Sequence, residues 1–378
     1  MSYSFQAWQE IDPAEIPRLR FVYGDTYAAG YLSVTFAAPK TGKSLLALSE
    51  AIDAATGRGF LTGRLSEPIK VIYHNAEDDL AVIQGRVAAV LQAWQIPQSE
   101  IAGRLFAVSG VSVENPIVLI KGEKGEIVEP AFLALADLIK RERIDLVILD
   151  PLQDLSQSPE TNEVFRALGG RIRALAANTG VAFGLVHHTR KPSPGVMPTL
   201  DDGRGGSALR GVARFNRLLV PMTEAEGRQA GVDDFRHYFR IGEVESNLAP
   251  PSSDRNRWFE KTGIKITNGE NVATIRPWVW PEAFSGITLN HACLVRTAIA
   301  AREDPPRENS QANDWAGKIV AEVLGLDLSK AFEKARVKAL MRKWIETDVL
   351  RIERQTYGDK NKEADFVFVG ENNPAVLE

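Results

Sequence analysis

A lysine and a hydroxyl group stand side by side in the stretch FAAPKTGKS, which covers residues 36–44. Its last residues, Gly42, Lys43 and Ser44, match the end of the phosphate-binding pattern G-x-x-x-x-G-K-[ST]. In such a loop backbone N–H groups surround phosphate oxygens, the lysine reaches the β- and γ-phosphates, and the hydroxyl binds Mg²⁺. Ala37 replaces the first glycine of the pattern, which costs little if this residue keeps a negative φ. The stretch predicts a site for ATP and Mg²⁺.

Two carboxylates end predicted strands downstream of this loop. Asp150 ends DLVILD, where a carboxylate could bind Mg²⁺ through water, or could cap the turn before Pro151. Glu77 ends VIYHNAE, where it could orient and deprotonate the water that attacks the γ-phosphate. Asp78 is the neighbouring candidate for that role, and Asp79 is predicted to cap the next helix. We expect Asp150 to share the metal with the loop hydroxyl, and Glu77 to be catalytic.

A histidine pair ends a further predicted strand, VAFGLVHH, at residues 181–188. Adjacent strand residues point to opposite faces, so at most one of His187 and His188 is expected to face the nucleotide. That histidine could sense the γ-phosphate and contribute to catalysis. The other interpretation is a histidine whose hydrogen bonds are satisfied within the sheet. The pattern does not choose between the two residues.

Several arginines are candidates to stabilise the charge that develops on the γ-phosphate, a role often filled by a neighbouring subunit. Arg204, Arg210 and Arg214 lie in GRGGSALRGVARF, and Arg86 follows Glu77 on a predicted helix. The same residues are equally compatible with a solvated face, a DNA contact or an ion-pair network. The residues expected to contact ATP are Ala38, Pro39, Lys40, Thr41, Gly42, Lys43, Ser44, Leu45, Arg86 and Arg204.

Apolar strands and amphipathic helices alternate along the chain and would hold these residues. Apolar runs such as residues 31–38 and 145–150 indicate buried strands, and residues 80–95 and 131–144 indicate helices. This alternation predicts an α/β fold with a mostly parallel sheet and helices on both faces. ALRGVARFNRLLVPM, at residues 208–222, is interpreted as further strand.

Shifts in composition divide the chain into four segments. Residues 1–30 form a short N-terminal segment, 31–285 the nucleotide-binding core, 286–314 a linker rich in chain-breaking residues, and 315–378 a small C-terminal domain. The last segment reads as helix, turn, helix and two strands, the order of a winged-helix domain. Its longer helix carries basic residues that could meet DNA phosphates, or could form a solvated face in a protein-binding domain. These residues are Lys334, Arg336, Lys338, Arg342 and Lys343.

Composition excludes several classes of protein. The chain has 378 residues, 44% hydrophobic and 25% charged, with a net charge of -4, so bulk charge does not indicate a nucleic-acid partner. Its single cysteine, Cys293, excludes a disulfide framework and a cysteine-rich zinc site. The polar, acidic start does not resemble a signal peptide, and no apolar run reaches the ~18 residues that span a bilayer. We therefore expect a cytoplasmic protein without a membrane partner.

Five stretches in this order, APKTGKS, NAEDD, LVILDPL, VHHTRK and GRGGSALRGVARF, resemble the RepA-type hexameric replicative helicases of plasmids and phages. The resemblance covers roughly residues 15–265. It implies a RecA-like P-loop NTPase core of the AAA family, which hydrolyses ATP with Mg²⁺. It also implies a homo-oligomer, a hexamer, that acts on single-stranded DNA.

The resemblance assigns roles by position. Lys43 and Ser44 match the lysine and hydroxyl of the phosphate loop. Glu77 matches the catalytic glutamate, and Asp150 the Mg²⁺-linked aspartate. The histidine pair matches the family's paired-histidine motif. Arg214 matches the arginine finger that one subunit donates to the next, and the arginine on the helix after the glutamate is a candidate second finger.

Two positions depart from the family pattern. Lys40 stands where many members have glycine, and Glu245 stands in a segment where the family carries lysine. The second change removes a cation that could have contacted nucleotide or DNA.

Two functional classes remain open from the sequence. In the first, a hexameric motor moves along single-stranded DNA, and Arg190, Lys191 and Arg204 contact backbone phosphates in a central channel. Loops at residues 153–163 and 189–207 would line that channel. In the second, the protein is an ATP-dependent DNA-binding regulator or loading factor that does not translocate. In either class the C-terminal domain could bind double-stranded DNA or a protein.

Overall fold

A nine-stranded sheet forms the centre of the larger of two units in this computed structural model. The larger unit comprises Met1–Pro221 and His237–Trp278, and the smaller comprises Met222–Arg236 and Val279–Glu378. The structure describes residues 8, 10–111, 117–189, 198–200, 206–248, 256–281, 286–357 and 362–372.

Six parallel strands and three antiparallel strands make up this sheet. Numbered along the chain and given in sheet order, they are Asn271–Trp278 (β14), Trp258–Lys265 (β13), Tyr238–Ser246 (β12), Phe215–Pro221 (β11), Leu32–Ala37 (β3), Ala182–His188 (β10), Leu146–Asp150 (β8), Val71–Asn75 (β4) and Leu105–Ser109 (β5). The parallel part runs from β11 to β5. Strands β3 and β8 are buried at every residue, as expected for strands that are covered on both faces. β8 is apolar up to Asp150, whereas β3 buries the hydroxyls of Ser33 and Thr35, which are hydrogen-bonded within the protein.

Helices cover both faces of the sheet. One face packs against Lys43–Thr56 (α1), Leu80–Ala93 (α2) and the short hairpin of Phe21–Tyr23 (β1) and Tyr27–Ala28 (β2). The other packs against Glu129–Glu142 (α3), Asn162–Thr179 (α4) and Gly206–Val212 (α5). The predicted α/β architecture is therefore confirmed. Among the residues that the structure describes, no helix combines the length and apolar character needed to cross a bilayer.

The strand register brings the predicted site residues to one edge. His188 of β10 pairs with Ala37 of β3, and Asn75 of β4 pairs with Asp150 of β8. These four residues end their strands, so the phosphate loop, the histidine pair and both acidic segments leave the sheet at the same carboxyl edge. Ligands of open parallel sheets bind at this edge.

The segment after Asp150 is partly ordered as a strand. Ser156–Gln157 (β9) pairs with Ile120–Lys121 (β6), which forms a hairpin with Glu126–Ile127 (β7). Residues 153–163 are therefore not one loop, as was expected: they include the end of a 3-10 helix (Leu152–Leu155), this edge strand and the first residues of α4.

Residues 208–212 are helical, and the prediction of strand there was wrong. The strand begins only at Phe215, after α5. Leu209 and Val212 recur with helical spacing and pack against α4 at Gly169, whose missing side chain leaves room for both. Tertiary packing on α4 therefore decides the conformation of a segment whose apolar content suits either element.

The smaller unit has its own core. Its elements are Glu224–Ala230 (α6), Leu289–Ala300 (α7), Ala316–Leu324 (α8), Ala331–Glu346 (α9), Leu350–Tyr357 (β15) and Lys362–Val369 (β16). The predicted linker at 286–314 is wrong in its first half, because α7 begins at a Thr288 capping box and buries Val295 and Ile299 in this core. Residues 222–236, predicted within the nucleotide-binding core, also belong to the smaller unit.

A buried histidine should make stability depend on pH. His74 of β4 is 2% exposed, and neither ring nitrogen has a hydrogen-bond partner among the described residues. Burial lowers the pKa of His74 from 6.5 to about 4. Between these two pKa values the unfolded chain binds a proton at His74 and the folded protein does not. The free energy of unfolding therefore falls as the pH drops from 6.5 toward 4.

We expect this group to remove about 2 kcal/mol of stability between pH 7.5 and pH 5. Urea unfolding at the two pH values measures the change. The variant His74→Leu cannot titrate at this position, so its stability should change less than that of the wild type by this amount. Equal changes in the two proteins would contradict the assignment.

Candidate nucleotide site

The phosphate-loop candidate connects β3 to the N-terminus of α1. Gly42 caps the helix with a φ of 122°, a conformation that side chains rarely adopt. A Cβ at this position would also lie 2.8 Å from the ring of Phe239, so only glycine fits. Ala37, in contrast, is the last residue of β3 and has no positive φ, as its replacement of glycine requires.

Lys40 has a backbone conformation that suits glycine, the residue that many RepA-type helicases carry at this position. Its φ is 66°, the left-handed conformation in which glycine is favoured. Its side chain is exposed, while its carbonyl accepts a 3.2 Å hydrogen bond from Nζ of Lys261. The residue therefore carries some backbone strain within the loop.

Lys43 lies at the centre of the candidate site. Its buried ammonium lies 3.4 Å from Oε2 of Glu77, 3.7 Å from Oδ1 of Asp150 and 3.4 Å from Oγ of Ser44. Three separate segments of the sequence thus meet within ion-pair distance at the carboxyl edge of the sheet. The lysine pairs with both carboxylates.

Asp150 presents one oxygen to this cluster and anchors the other. Oδ2 accepts a 2.8 Å hydrogen bond from the hydroxyl of Tyr73. Oδ1 faces Lys43 and accepts no hydrogen bond from any residue that the structure describes. Burial raises the pKa of Asp150, and the positive charge of Lys43 opposes that shift. An unbonded carboxylate oxygen close to the Ser44 hydroxyl is a donor set that fits Mg²⁺.

His188, and not His187, faces the site. Nε2 of His188 lies 3.5 Å from Oε1 of Glu77. Burial lowers the pKa of His188, and the charge of Lys43 lowers it further, which favours the neutral ring. His187 is wholly buried on the other face, with its ring edge-on to Phe165 at 4.9 Å between centroids. The structure therefore does not support His187 as a catalytic residue.

The three acidic residues after β4 make different contacts. Asp79 caps α2 by accepting a 2.8 Å hydrogen bond from the N–H of Val82, as predicted. Asp78 forms an ion pair with Arg86 of α2. This leaves Glu77 as the carboxylate of the three that lies beside Lys43.

Arg214 lies at the opposite end of the sheet from the loop. It directly precedes β11, whose Phe215 pairs with Ser33 near the start of β3, and its N–H bonds the carbonyl of Leu32. The loop leaves β3 about five residues later, a distance of roughly 16 Å along a strand. Arg214 therefore does not reach the site of its own chain.

Other predicted cations lie elsewhere. Arg210 of α5 forms an ion pair with Glu245 of β12, in which Nε lies 2.7 Å from Oε2. Glu245, the residue that stands in place of a lysine, therefore neutralises this arginine. Arg190, Lys191 and Arg204 lie outside the described residues.

The structure also adds polar residues that the sequence analysis missed. Tyr73 and Asn75 alternate on β4 and contact one another behind the site. Because Tyr73 and Asn75 are two residues apart on one strand, the sequence could have indicated that both side chains lie on the same face of the sheet. Asp154, in the 3-10 helix Leu152–Leu155, is a further carboxylate near the cluster, and burial together with the charge of Glu77 raises its pKa.

The fold and the site define an α/β P-loop NTPase: the parallel sheet, the loop between β3 and α1, and the acids at the carboxyl edge all belong to that class. A family model described as an AAA domain matches residues 3–194, just over half of the 378 residues. The chain therefore belongs to this AAA-domain family and carries a nucleotide-binding domain of the ATPase type. The matched segment ends before β11.

Relieving the strain at Lys40 should stabilise the protein. We expect Lys40→Gly to raise the free energy of unfolding by about 0.5–1 kcal/mol, because glycine adopts a positive φ freely. Lys40→Ala removes the same charge and side-chain atoms beyond Cβ but keeps the strained backbone, so it should not stabilise. Chemical unfolding of the two variants measures the difference, and equal stabilities would show that φ is not the cause.

Proposed function

We propose that the protein is an ATP-hydrolysing motor that assembles into a homo-hexamer and moves along single-stranded DNA, acting as a replicative DNA helicase. The observation that carries the ATPase part is the convergence of Lys43, Glu77, Asp150 and His188 at one edge of the sheet. The DNA substrate and the hexamer are supported by the resemblance to RepA-type helicases.

The chemical step needs a held phosphate, a positioned water and a proton acceptor. Lys43 and the loop N–H groups bind the β- and γ-phosphates. Ser44 and Asp150 would hold Mg²⁺, which neutralises phosphate charge when bound. Glu77 takes a proton from the water whose oxygen attacks the γ-phosphorus. The bond from that phosphorus to the bridging oxygen breaks, and ADP leaves with the electron pair.

We assign to His188 the role of reporting the state of the γ-phosphate. Its neutral ring lies beside the same glutamate that orients the attacking water. Loss of the γ-phosphate changes what Glu77 can bond, and His188 ends the strand that leads into residues 190–207. In the proposed motor, Arg190, Lys191 and Arg204 in that segment contact the DNA backbone.

The smaller unit supports a second contact. The order of α7, α8, α9, β15 and β16 is that of a winged helix, and α9 exposes Lys338, Arg342 and Lys343 on its surface. This face suits double-stranded DNA or an acidic protein partner.

The same basic face favours one alternative function. An ATP-dependent regulator or loading factor would use the α9 face to bind duplex DNA, and would use ATP to change its assembly state without translocating. Both functions need every residue of the Lys43 cluster, so only assembly state and DNA dependence separate them.

The decisive experiment measures assembly, hydrolysis and strand separation together. We expect six chains in the native mass spectrum with ATP, a hydrolysis rate that rises with single-stranded DNA, and separation of a forked duplex. Lys43→Ala should lower hydrolysis at least about 100-fold, because the phosphate loses its principal cation. Lys70→Ala, a lysine outside the site, is the matched control and should retain the wild-type rate.

Two results would contradict the motor. A monomer or dimer whose hydrolysis ignores single-stranded DNA favours the regulator. Hydrolysis that persists in Lys43→Ala removes the phosphate-loop assignment altogether.

Arg214 should act on the nucleotide of a neighbouring subunit. We expect Arg214→Ala to bind ATP normally and to lose hydrolysis, since the transition-state charge loses its guanidinium. Mixing this variant with Lys43→Ala should restore part of the activity, because mixed interfaces combine an intact loop with an intact finger. Hydrolysis at the normal rate in Arg214→Ala would move the finger to Arg204 or Arg86.

A further inference from the structure

A chain of buried hydrogen bonds links Asp150 to the backbone of Glu77. The hydroxyl of Tyr73 donates to Oδ2 of Asp150 at 2.8 Å. The side-chain amide of Asn75 donates to that hydroxyl oxygen at 3.2 Å. Tyr73, Asn75 and Asp150 are all at most 1% exposed, so water does not compete for these bonds.

Asn75 carries the link to the catalytic segment. Its Oδ1 accepts the backbone N–H of Glu77 at 3.0 Å and that of Asp78 at 2.7 Å. This turn fixes the chain where it leaves β4 and aims the side chain of Glu77 toward Lys43 and His188. All four bonds donate in one direction, from the Glu77 backbone toward the carboxylate of Asp150.

The sheet fixes the same residues by a second route. Asn75 and Asp150 are register partners in adjacent strands, and the N–H of Ala76 donates to the carbonyl of Asp150 at 2.9 Å. The backbone pairing therefore sets the distance between the ends of β4 and β8. The hydrogen bonds of Tyr73 and Asn75 set the orientation of the two carboxylates.

We propose that Tyr73 and Asn75 are positioning residues that hold the Mg²⁺-linked aspartate and the catalytic glutamate in one arrangement for ATP hydrolysis. The inference rests on the proposed function, because it assumes those roles for Asp150 and Glu77. Neither residue touches the nucleotide. Tyr73 keeps Oδ2 occupied and leaves Oδ1 facing Lys43, where Asp150 would help to hold Mg²⁺. Asn75 holds the backbone of Glu77, whose side chain would orient the attacking water.

Polar groups at these positions are otherwise hard to explain. Burying a hydroxyl and an amide destabilises the fold unless both are hydrogen-bonded, whereas a phenylalanine and an aliphatic residue would pack in this region without that requirement. The hydrogen bonds join the carboxylate of Asp150 to the backbone N–H groups of Glu77 and Asp78, two segments of the candidate site.

Conservative substitutions test the proposal in the full-length protein. Tyr73→Phe removes one hydroxyl and keeps the ring, and Asn75→Leu removes the amide and keeps the branched arrangement of heavy atoms. The matched control is Tyr23→Phe. Tyr23 is buried and donates an equally long bond, 2.8 Å, to a buried carboxylate, Asp53, away from the site.

We expect Tyr73→Phe and Asn75→Leu each to lower kcat for ATP hydrolysis about tenfold. Affinity for ATP measured in EDTA should stay unchanged, since the loop is intact. The Mg²⁺ concentration for half-maximal hydrolysis should rise in Tyr73→Phe. The double variant should lose about tenfold and not about 100-fold, because both changes break one chain. Tyr23→Phe should keep kcat and the Mg²⁺ dependence, whatever its stability.

Several outcomes would overturn the inference. One is a kcat and Mg²⁺ dependence in Tyr73→Phe equal to those of Tyr23→Phe. Another is a double variant whose losses multiply, which would mean two independent effects. If Asn75→Leu does not fold, Tyr73→Phe decides alone. A wild-type protein that binds ATP without hydrolysing it would overturn the proposed function first, and the inference with it.

Discussion

A buried ion pair fixes helix α1 on the sheet, and the phosphate loop depends on that position. Arg217 of β11 donates two 2.6 Å hydrogen bonds to Glu50 of α1, and also bonds Thr35 of β3 and the hydroxyl of Tyr27. The two charged side chains are 3% and 6% exposed. Such a pair adds little over apolar packing, but losing one partner leaves a buried charge, so it favours a single arrangement of helix and strands. Because α1 begins at Lys43, that arrangement sets where the lysine points.

The charged groups at the carboxyl edge of the sheet form one cluster around Lys43. One lysine lies between two carboxylates, and the adjacent His188 is held toward its neutral form. In the proposed function, a triphosphate bound to Lys43 would leave Glu77 and Asp150 without their cation unless Mg²⁺ bound with it. The acids then have different environments: Asp150 is wholly buried and bonded, whereas Glu77 is partly exposed and can meet water. This difference suits a metal-linked group and a base respectively.

The sequence was informative where chemistry sits at strand ends. Glu77 and Asp150 could be identified because parallel strands bring their carboxyl ends together, so residue type and position suffice. Contacts across strands could not be identified in that way. Tyr73 meets Asp150 only in one register of β4 and β8, and Arg217 meets Glu50 across 167 positions of sequence. Register and helix placement come from tertiary packing, which local periodicity does not encode. The same limit explains why residues 208–212 and 289–300, which are helical, are predicted from the sequence as strand and linker.

The chain passes between the two units three times, after Pro221, after Arg236 and after Trp278. The smaller unit is therefore not a module attached at a single junction. Its α6 comes from the connection between two strands of the ATPase sheet, and the glycine that follows α6, Gly231, lies so close to the ring of Phe332 that a methyl group would clash. Recombination at one junction near residue 279 would transfer the later elements and leave the α6 segment behind with an uncovered surface. The two units are thus expected to be inherited together, and relatives that lack the C-terminal elements should carry a different connection between β11 and β12.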